Sequence, residues 1–329
     1  MKRILFFLML AIFVVSCKDA TRSSYRQTKG FVQGTTYSII YDSSEDLNTQ
    51  IAKELKQFNK SLSIFDSTSV ISKVNRNESV VMDSNFLVVF RRAMEISIQT
   101  EGAFDITVSP MVKLWGFYSD EQKSVTQHLI DSVRMFVGYE KATLVDNRIE
   151  KSDSRVQLDA NAIAQGYSCD VIAHYFDKLG IENYMIEIGG EIRTKGLSER
   201  GEAWRVGIQK PVVDTIGQKS EILAIVALSG QSIGTSGNYR KFRIIDGKQY
   251  GHEIDPRTGF PVQHNLLSVT IVAKDAISAD AYATACMVMG LEKSVELISS
   301  LDGVEGYFVY DDKGVQRVKM TENFPIFVD

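Results

Sequence analysis

Histidine, cysteine and proline are scarce in this chain, with four, three and five copies among 329 residues. So few cysteines make no disulfide framework, and none stands in a paired metal-ligand spacing, so a cysteine-based zinc site has no support. Long blocks of one charge are missing too. The net charge is −4 and the isoelectric point about 5.7, with no basic run beyond the first residues. A surface that tracks nucleic-acid phosphates is therefore not expected. No internal repeat, low-complexity segment or Pro- or Gly-rich linker divides the chain. Apolar side chains are plentiful, at 44% of the total, which is ample for a sizeable core in about one to three domains.

The uninterrupted apolar run over residues 4–15 follows Lys2 and Arg3. It falls short of the about 20 residues of a membrane span and reads as a targeting segment. It ends at Val14-Val15-Ser16-Cys17, which resembles the lipobox of bacterial lipoproteins, cleaved before the cysteine that then carries the lipid. On that reading residues 1–16 are a lipoprotein signal peptide, 17–29 a lipid-anchored tether and 30–329 the functional domain. The domain then sits on the periplasmic or other extracytoplasmic face of a bacterial membrane. A plain secretory signal with a chance cysteine is the alternative. Cys169 and Cys286 lie in apolar helical patterns, where buried unpaired thiols are common.

Patterning predicts a strand over 30–41 interrupted at Gly34, then helices over 45–59 and 85–100. Asp159 is expected to cap a helix over 160–179 that Gly180 closes. Gly166 inside that helix costs about 1 kcal/mol relative to Ala, which points to close packing or to ligand approach. Strands are expected at 184–188, 203–209, 222–229, 239–246, 266–273, 305–310 and 315–319, with a small-residue loop over 232–239 and a last helix over 278–290. Hairpins mixed with helices, without steady β-α alternation, indicate an α+β fold.

Unusual chemistry gathers in residues 250–261, YGHEIDPRTGFP. Pro256 fixes its own φ and holds Asp255 extended, Gly259 can take a positive φ, and Pro261 stiffens the exit. The result is a rigid loop that presents His252, Asp255, Arg257 and Thr258, or else a structural turn closed by an Asp255–Arg257 pair. Asp105 stands between Phe104 and Ile106, where a buried carboxylate must pair or bind something unless it serves a turn. Asp280 and Thr284 lie one helical turn apart and form a half-site for a hard cation such as Mg²⁺. A first-turn acid with a back-bonded threonine is the plainer alternative.

In order along the chain, these residues resemble the ApbE family of flavin transferases over roughly residues 31–290. The resemblance rests on Gly34-Thr35, residues 67–75, Gly102-Ala103-Phe104-Asp105 with Thr107, and residues 159–166. It continues through Gly189-Gly190-Glu191, Thr235-Ser236-Gly237, residues 252–261 and residues 280–284. It implies an α+β fold related to the T-fold, two interlocked lobes with FAD in the cleft between them. It also implies Mg²⁺-dependent transfer of FMN from FAD to a threonine of an exported acceptor protein, releasing AMP. By motif position Asp280 and Thr284 hold the metal with the carbonyls of Ala162 and Ala283, while Ala103, Phe104, Asp105, Asp159 and Ile254 line the FAD site. Phe65 and Gln33 stand where the family often has Tyr and Met. Gln165 replaces the Lys usual before Gly166, so a charge-assisted contact is lost. His252, an imidazole with a reference pKa near 6.5, is placed as general base, with Asp255 either orienting it or closing the turn. The rivals are an FAD pyrophosphatase and a flavin-binding lipoprotein without turnover.

The lipobox reading predicts that the mature chain begins at Cys17 and carries lipid there. Mass spectrometry of protein extracted from membranes checks this, and an unmodified Cys17 on a released chain would contradict it.

Overall fold

The computed structural model describes residues 24–118, 125–211, 221–238, 242–245 and 248–328. The residues read as a signal peptide, Cys17, and residues 239–241 and 246 of the strand predicted over 239–246 lie outside the described residues. Strand β1 (Tyr25–Val32) pairs with β2 (Thr35–Asp42) through a two-residue turn. Gln33 and Gly34 hold φ of 54° and 74° there, as a twisted two-residue hairpin turn requires. Two expectations are corrected. Gly34 reverses the chain rather than breaking one strand, and residues 25–29, read as tether, pair along β2 with Thr28 buried.

The chain continues through α1 (Asn48–Leu62), α2 (Val70–Asn75), α3 (Ser84–Gln99), α4 (Ser109–Leu114) and α5 (Gln127–Arg134). A small hairpin of β3 (Ala142–Val145) and β4 (Arg148–Lys151) precedes α6 (Ala164–Lys178). Next come β5 (Tyr184–Ile188), β6 (Glu191–Lys195), β7 (Trp204–Gln209), β8 (Ile222–Leu228), β9 (Ser232–Gly237), β10 (Phe242–Ile245) and β11 (Lys248–Gly251). The short pair β12 (Ile254–Asp255) and β13 (Phe260–Pro261) leads to β14 (Leu266–Ala273), α7 (Ala276–Met289), α8 (Leu291–Ser300), β15 (Glu305–Asp312) and β16 (Val315–Met320).

Eight strands form one antiparallel sheet in the order β1-β2-β5-β6-β9-β14-β15-β16. Helices α6 and α7 lie on one face, with α1 against α6 and α3 against α7. The β7–β8 hairpin and Phe324 cover Ile192, Ile233, Val272, Tyr307 and Val309 on the other. Strand β14 is thus buried on both sides, with Val269 and Ile271 in the helix-side core and Val272 in the opposite one. That is why it reads as a nearly continuous apolar run rather than an alternation.

Two further expectations fail for reasons of packing. Residues 232–237, read as a loop, form β9 in the middle of the sheet. Its small residues answer to α7: a Cβ on Gly234 would lie 2.9 Å from the backbone of Ala279 and Asp280. Helix α6 starts at Ala164 rather than 160, and Asp159 caps no helix; its side chain accepts from Asn161 N at 2.9 Å and makes a local turn.

Helices α6 and α7 approach so closely that a Cβ on Gly166 would stand 2.2 Å from Ala276 O and 2.7 Å from Asp280 Cβ. Close packing therefore accounts for this glycine. Gly166→Ala should destabilise the fold by about 1–3 kcal/mol, overriding the helix-propensity gain of about 1 kcal/mol. Urea unfolding measures it, and a variant as stable as the parent would refute the contact.

Candidate active site

The loop after β11 is braced from several sides. Gly259 N donates to Asp255 O at 2.7 Å, and Gly259 takes a φ of 80°. Trp115 Nε1 donates to Gly259 O at 2.8 Å, and a Cβ on Gly259 would meet Ile130 and Met111 within 2.8 Å. Ile254 is buried beneath the loop among Met111, Trp115, Ile130 and Val137. Of the two roles open to Asp255, the geometry displays the turn. Arg257 donates from Nε and Nη2 to its two oxygens at 2.8 and 2.9 Å, and Arg257 N adds a third bond at 2.9 Å. The carboxylate facing the imidazole is Glu253, whose Oε2 lies 3.3 Å from His252 Nδ1. Nothing in the sequence pattern had marked Glu253 beyond its place directly after the histidine. His252 itself is 37% exposed, with the ring of Phe117 edge-on at 6.5 Å.

A second group of residues assembles around Asp159. Phe65 is 73% exposed and meets Tyr118 edge to face at 5.8 Å. Tyr118 donates its hydroxyl proton to Asp159 and accepts from Asn161 Nδ2 at 3.0 Å. Burial pushes the Asp159 carboxyl up, and burial together with the Asp159 charge raises the Tyr118 phenol. Tyr118 escaped the sequence reading because only the fold brings it to Asp159. Asp159 N donates to Ile106 O at 2.7 Å, tying this turn to Asp105. Asp105 accepts from Thr107 N and Oγ1 at 2.7 and 2.6 Å, and burial pushes its carboxyl up to about 6. Ala103 and Phe104 are core residues, 2% and 3% exposed.

The first turn of α6 brings the remaining groups together. A Cβ on Gly189 would sit 2.8 Å from Gln165 Nε2 and 2.9 Å from Thr35 Cγ2, so the Gln165 amide and Thr35 both meet the turn between β5 and β6. In the β1–β2 turn, both polar atoms of the Gln33 amide are buried with no hydrogen-bond partner among the described residues. One turn into α7, Asp280 Oδ2 accepts from Gly166 N at 2.9 Å. It is not a first-turn acid: Asp275 caps α7 by accepting from Ser278 N at 3.1 Å. Burial pushes Asp280 up to about 7, and no ion pair with a described residue offsets its charge. Thr284 Oγ1 stands 3.2 Å from Ser236 Oγ. No cluster of three or more His, Cys, Asp or Glu exists among the described residues. Asp280 and Thr284 instead put a carboxylate and a hydroxyl one turn apart on α7, hard oxygen donors of the kind that suit Mg²⁺ better than a soft metal. Ala283 is buried beside these groups in α7, and Ala162 is half-buried in the turn before α6.

Comparison with known proteins assigns this architecture to flavin transferases. The solved flavin transferase ApbE from Vibrio cholerae superposes with a TM-score of 0.82 at 34% identity, over 92% of this chain and 98% of that one. The apo form of the Pseudomonas stutzeri flavinyl transferase ApbE also scores 0.82, at 29% identity over 92% and 96%. In sequence, the FAD:protein FMN transferase of Vibrio cholerae is 38% identical over 277 residues, 81% of this chain and 82% of the relative. That of Haemophilus influenzae is 33% identical over 305 residues, 88% and 87%. The family pattern spans residues 33–308, and the chain belongs to the ApbE family.

The buried carboxylates set a pH dependence. Asp105 is pushed up to about 6 and Asp170, also by burial, to about 7, against about 3.9 for an unfolded aspartate. Between those values the native state keeps protons that the unfolded chain has lost, so stability is full below about pH 4 and declines as pH rises through 6 to 7. Asp66 and Asp153, held low by hydrogen bonds from Lys60 and Arg155, act only below this window. Without ligands, the protein should be less stable at pH 8 than at pH 5 by on the order of 4 kcal/mol. Urea unfolding at the two pH values tests this, with Asp105→Asn expected to flatten the lower part of the slope.

Proposed function

We propose that this chain moves the FMN portion of FAD onto a threonine hydroxyl of an exported acceptor protein and releases AMP. The name shared by the curated relatives supports FAD and a protein as the two substrates. The observation that carries the reading is Asp280, a buried carboxylate held by one backbone N–H, a turn away from the Thr284 hydroxyl. Such a group keeps its proton or takes a hard cation. Mg²⁺ bound by Asp280, Thr284 and the carbonyls of Ala162 and Ala283 supplies positive charge for the FAD pyrophosphate. Phe65 and Tyr118 offer aromatic surface to the flavin ring, with Asp105 and Asp159 as acceptors beside it. The orphaned amide of Gln33 and the amide of Gln165 supply neutral hydrogen bonds to the same ligand. His252, on its braced loop, takes the threonine proton, and Asp255 keeps that loop in shape through Arg257. Lipid on Cys17 keeps the domain at the periplasmic or other extracytoplasmic face of a bacterial membrane, within reach of exported acceptors.

Purified protein incubated with FAD and Mg²⁺, with and without a threonine-bearing acceptor, separates the readings. AMP that appears only with acceptor supports transfer; AMP without acceptor indicates a pyrophosphatase, and no AMP a flavin-binding protein without turnover. At saturating FAD and Mg²⁺, His252→Ala should slow single-turnover transfer by about 10²–10⁴-fold with FAD binding nearly intact. Asp280→Asn should remove the response to Mg²⁺. Near-normal transfer by His252→Ala would take the imidazole out of the chemistry.

A further inference from the structure

We propose that Glu253 is a positioning residue for His252, accepting the Nδ1 proton so that Nε2 presents its lone pair to the acceptor hydroxyl. The proposal rests on reading His252 as the base and adds what fixes its working form. Glu253 is more deeply buried than the residue it serves, with a side chain 3% exposed against 37% for the imidazole. Neither of its oxygens has a hydrogen-bond donor among the described residues. A buried carboxylate in that condition is costly unless a polar or charged partner comes to it. Among the described residues, His252 Nδ1, 3.3 Å from Oε2, is the nitrogen within ion-pair distance of this carboxylate.

The surroundings hold this arrangement in place. Val262 N donates to Glu253 O at 3.0 Å, so the backbone carrying the carboxylate is pinned to the exit of the loop. Gly251 gives the carboxylate room: a Cβ there would stand 3.1 Å from Glu253 Oε2 and 3.3 Å from Asn238 Cβ. Phe117 closes one side of the imidazole. Asp255 is engaged elsewhere, with Arg257 donating to both its oxygens.

The chemistry follows from proton inventory. A neutral imidazole carries one N–H, and an ionised carboxylate only accepts. A proton at Nδ1 leaves Nε2 as the acceptor. When Nε2 takes the threonine proton, the imidazolium forms beside a carboxylate that stabilises it, the logic by which a buried acid orients a catalytic histidine elsewhere.

The test is long-range ¹H–¹⁵N NMR of the full mature chain labelled at histidine, at a pH where the imidazole is neutral. The His252→Ala spectrum identifies the His252 signals. The wild-type protein should show His252 protonated at Nδ1. Glu253→Leu should lose that tautomer, and its transfer rate at saturating FAD should fall by about 10- to 100-fold. Glu253→Gln, whose amide oxygen still accepts, should keep the tautomer and recover part of the rate. Wild-type His252 protonated at Nε2 overturns the proposal on its own, even if the Leu variant does not fold. So does a tautomer that Glu253→Leu leaves unchanged. Because the spectrum needs no turnover, this result is independent of whether His252→Ala abolishes transfer, which decides the reading beneath it.

Discussion

Helices α6 and α7 cap each other, and the site depends on that exchange. Asp170 of α6 accepts from Ala276 N and Ile277 N at the start of α7, at 3.0 and 2.8 Å. Asp280 of α7 accepts from Gly166 N at the start of α6. The first N–H groups of any helix lack internal partners and carry the positive end of its dipole. Satisfying them with carboxylates from the neighbouring helix requires the two axes to approach closely, hence Gly166, and β9 must follow, hence Gly234. From this arrangement come the position of Gln165 over Gly189 and the contact of Thr284 with Ser236.

The two caps are not equivalent. Asp170 receives two backbone N–H groups and has Arg193 Nε at 4.0 Å. Asp280 receives one N–H and no side-chain cation among the described residues. Asp170 therefore has both oxygens taken by backbone N–H groups, while Asp280 keeps acceptor capacity one turn from the Thr284 hydroxyl. The same division of labour appears in the loop after β11. Asp255 is consumed by Arg257 and by the turn, and Glu253 is left to face the histidine.

The sequence made legible what is settled locally. Pro256 and Gly259 restrict their own backbone, so the turn and its Asp255–Arg257 option were visible in the string. The amphipathic face of α1, with Ile51, Leu55 and Phe58 buried, was visible by period alone. The order of motifs along the chain carried the α+β fold and the family. What stayed hidden depends on partners distant in sequence. Strand β9 looks like a loop because α7 selects its glycines and serines. Tyr118 gains meaning only from Asp159, 41 residues away. Asp159 looked like a helix cap because nothing local reveals that the helix starts after a further turn. Glu253 looked like an ordinary polar neighbour because burial cannot be read from a lone glutamate.

The order of strands has a consequence for how the molecule is assembled. The N-terminal hairpin joins the sheet only through β5, where Tyr37 pairs with Ile188. Strand β9 likewise waits for β14, which follows it in the chain and precedes α7. Contacts of such long range are slow to form because loop closure precedes any reward. During synthesis the edge of β2 therefore stays open until more than half of the chain has emerged. The part of the sheet that emerges first thus waits with an unpaired edge for β5, and that interval is when unpaired strand edges invite association with other chains.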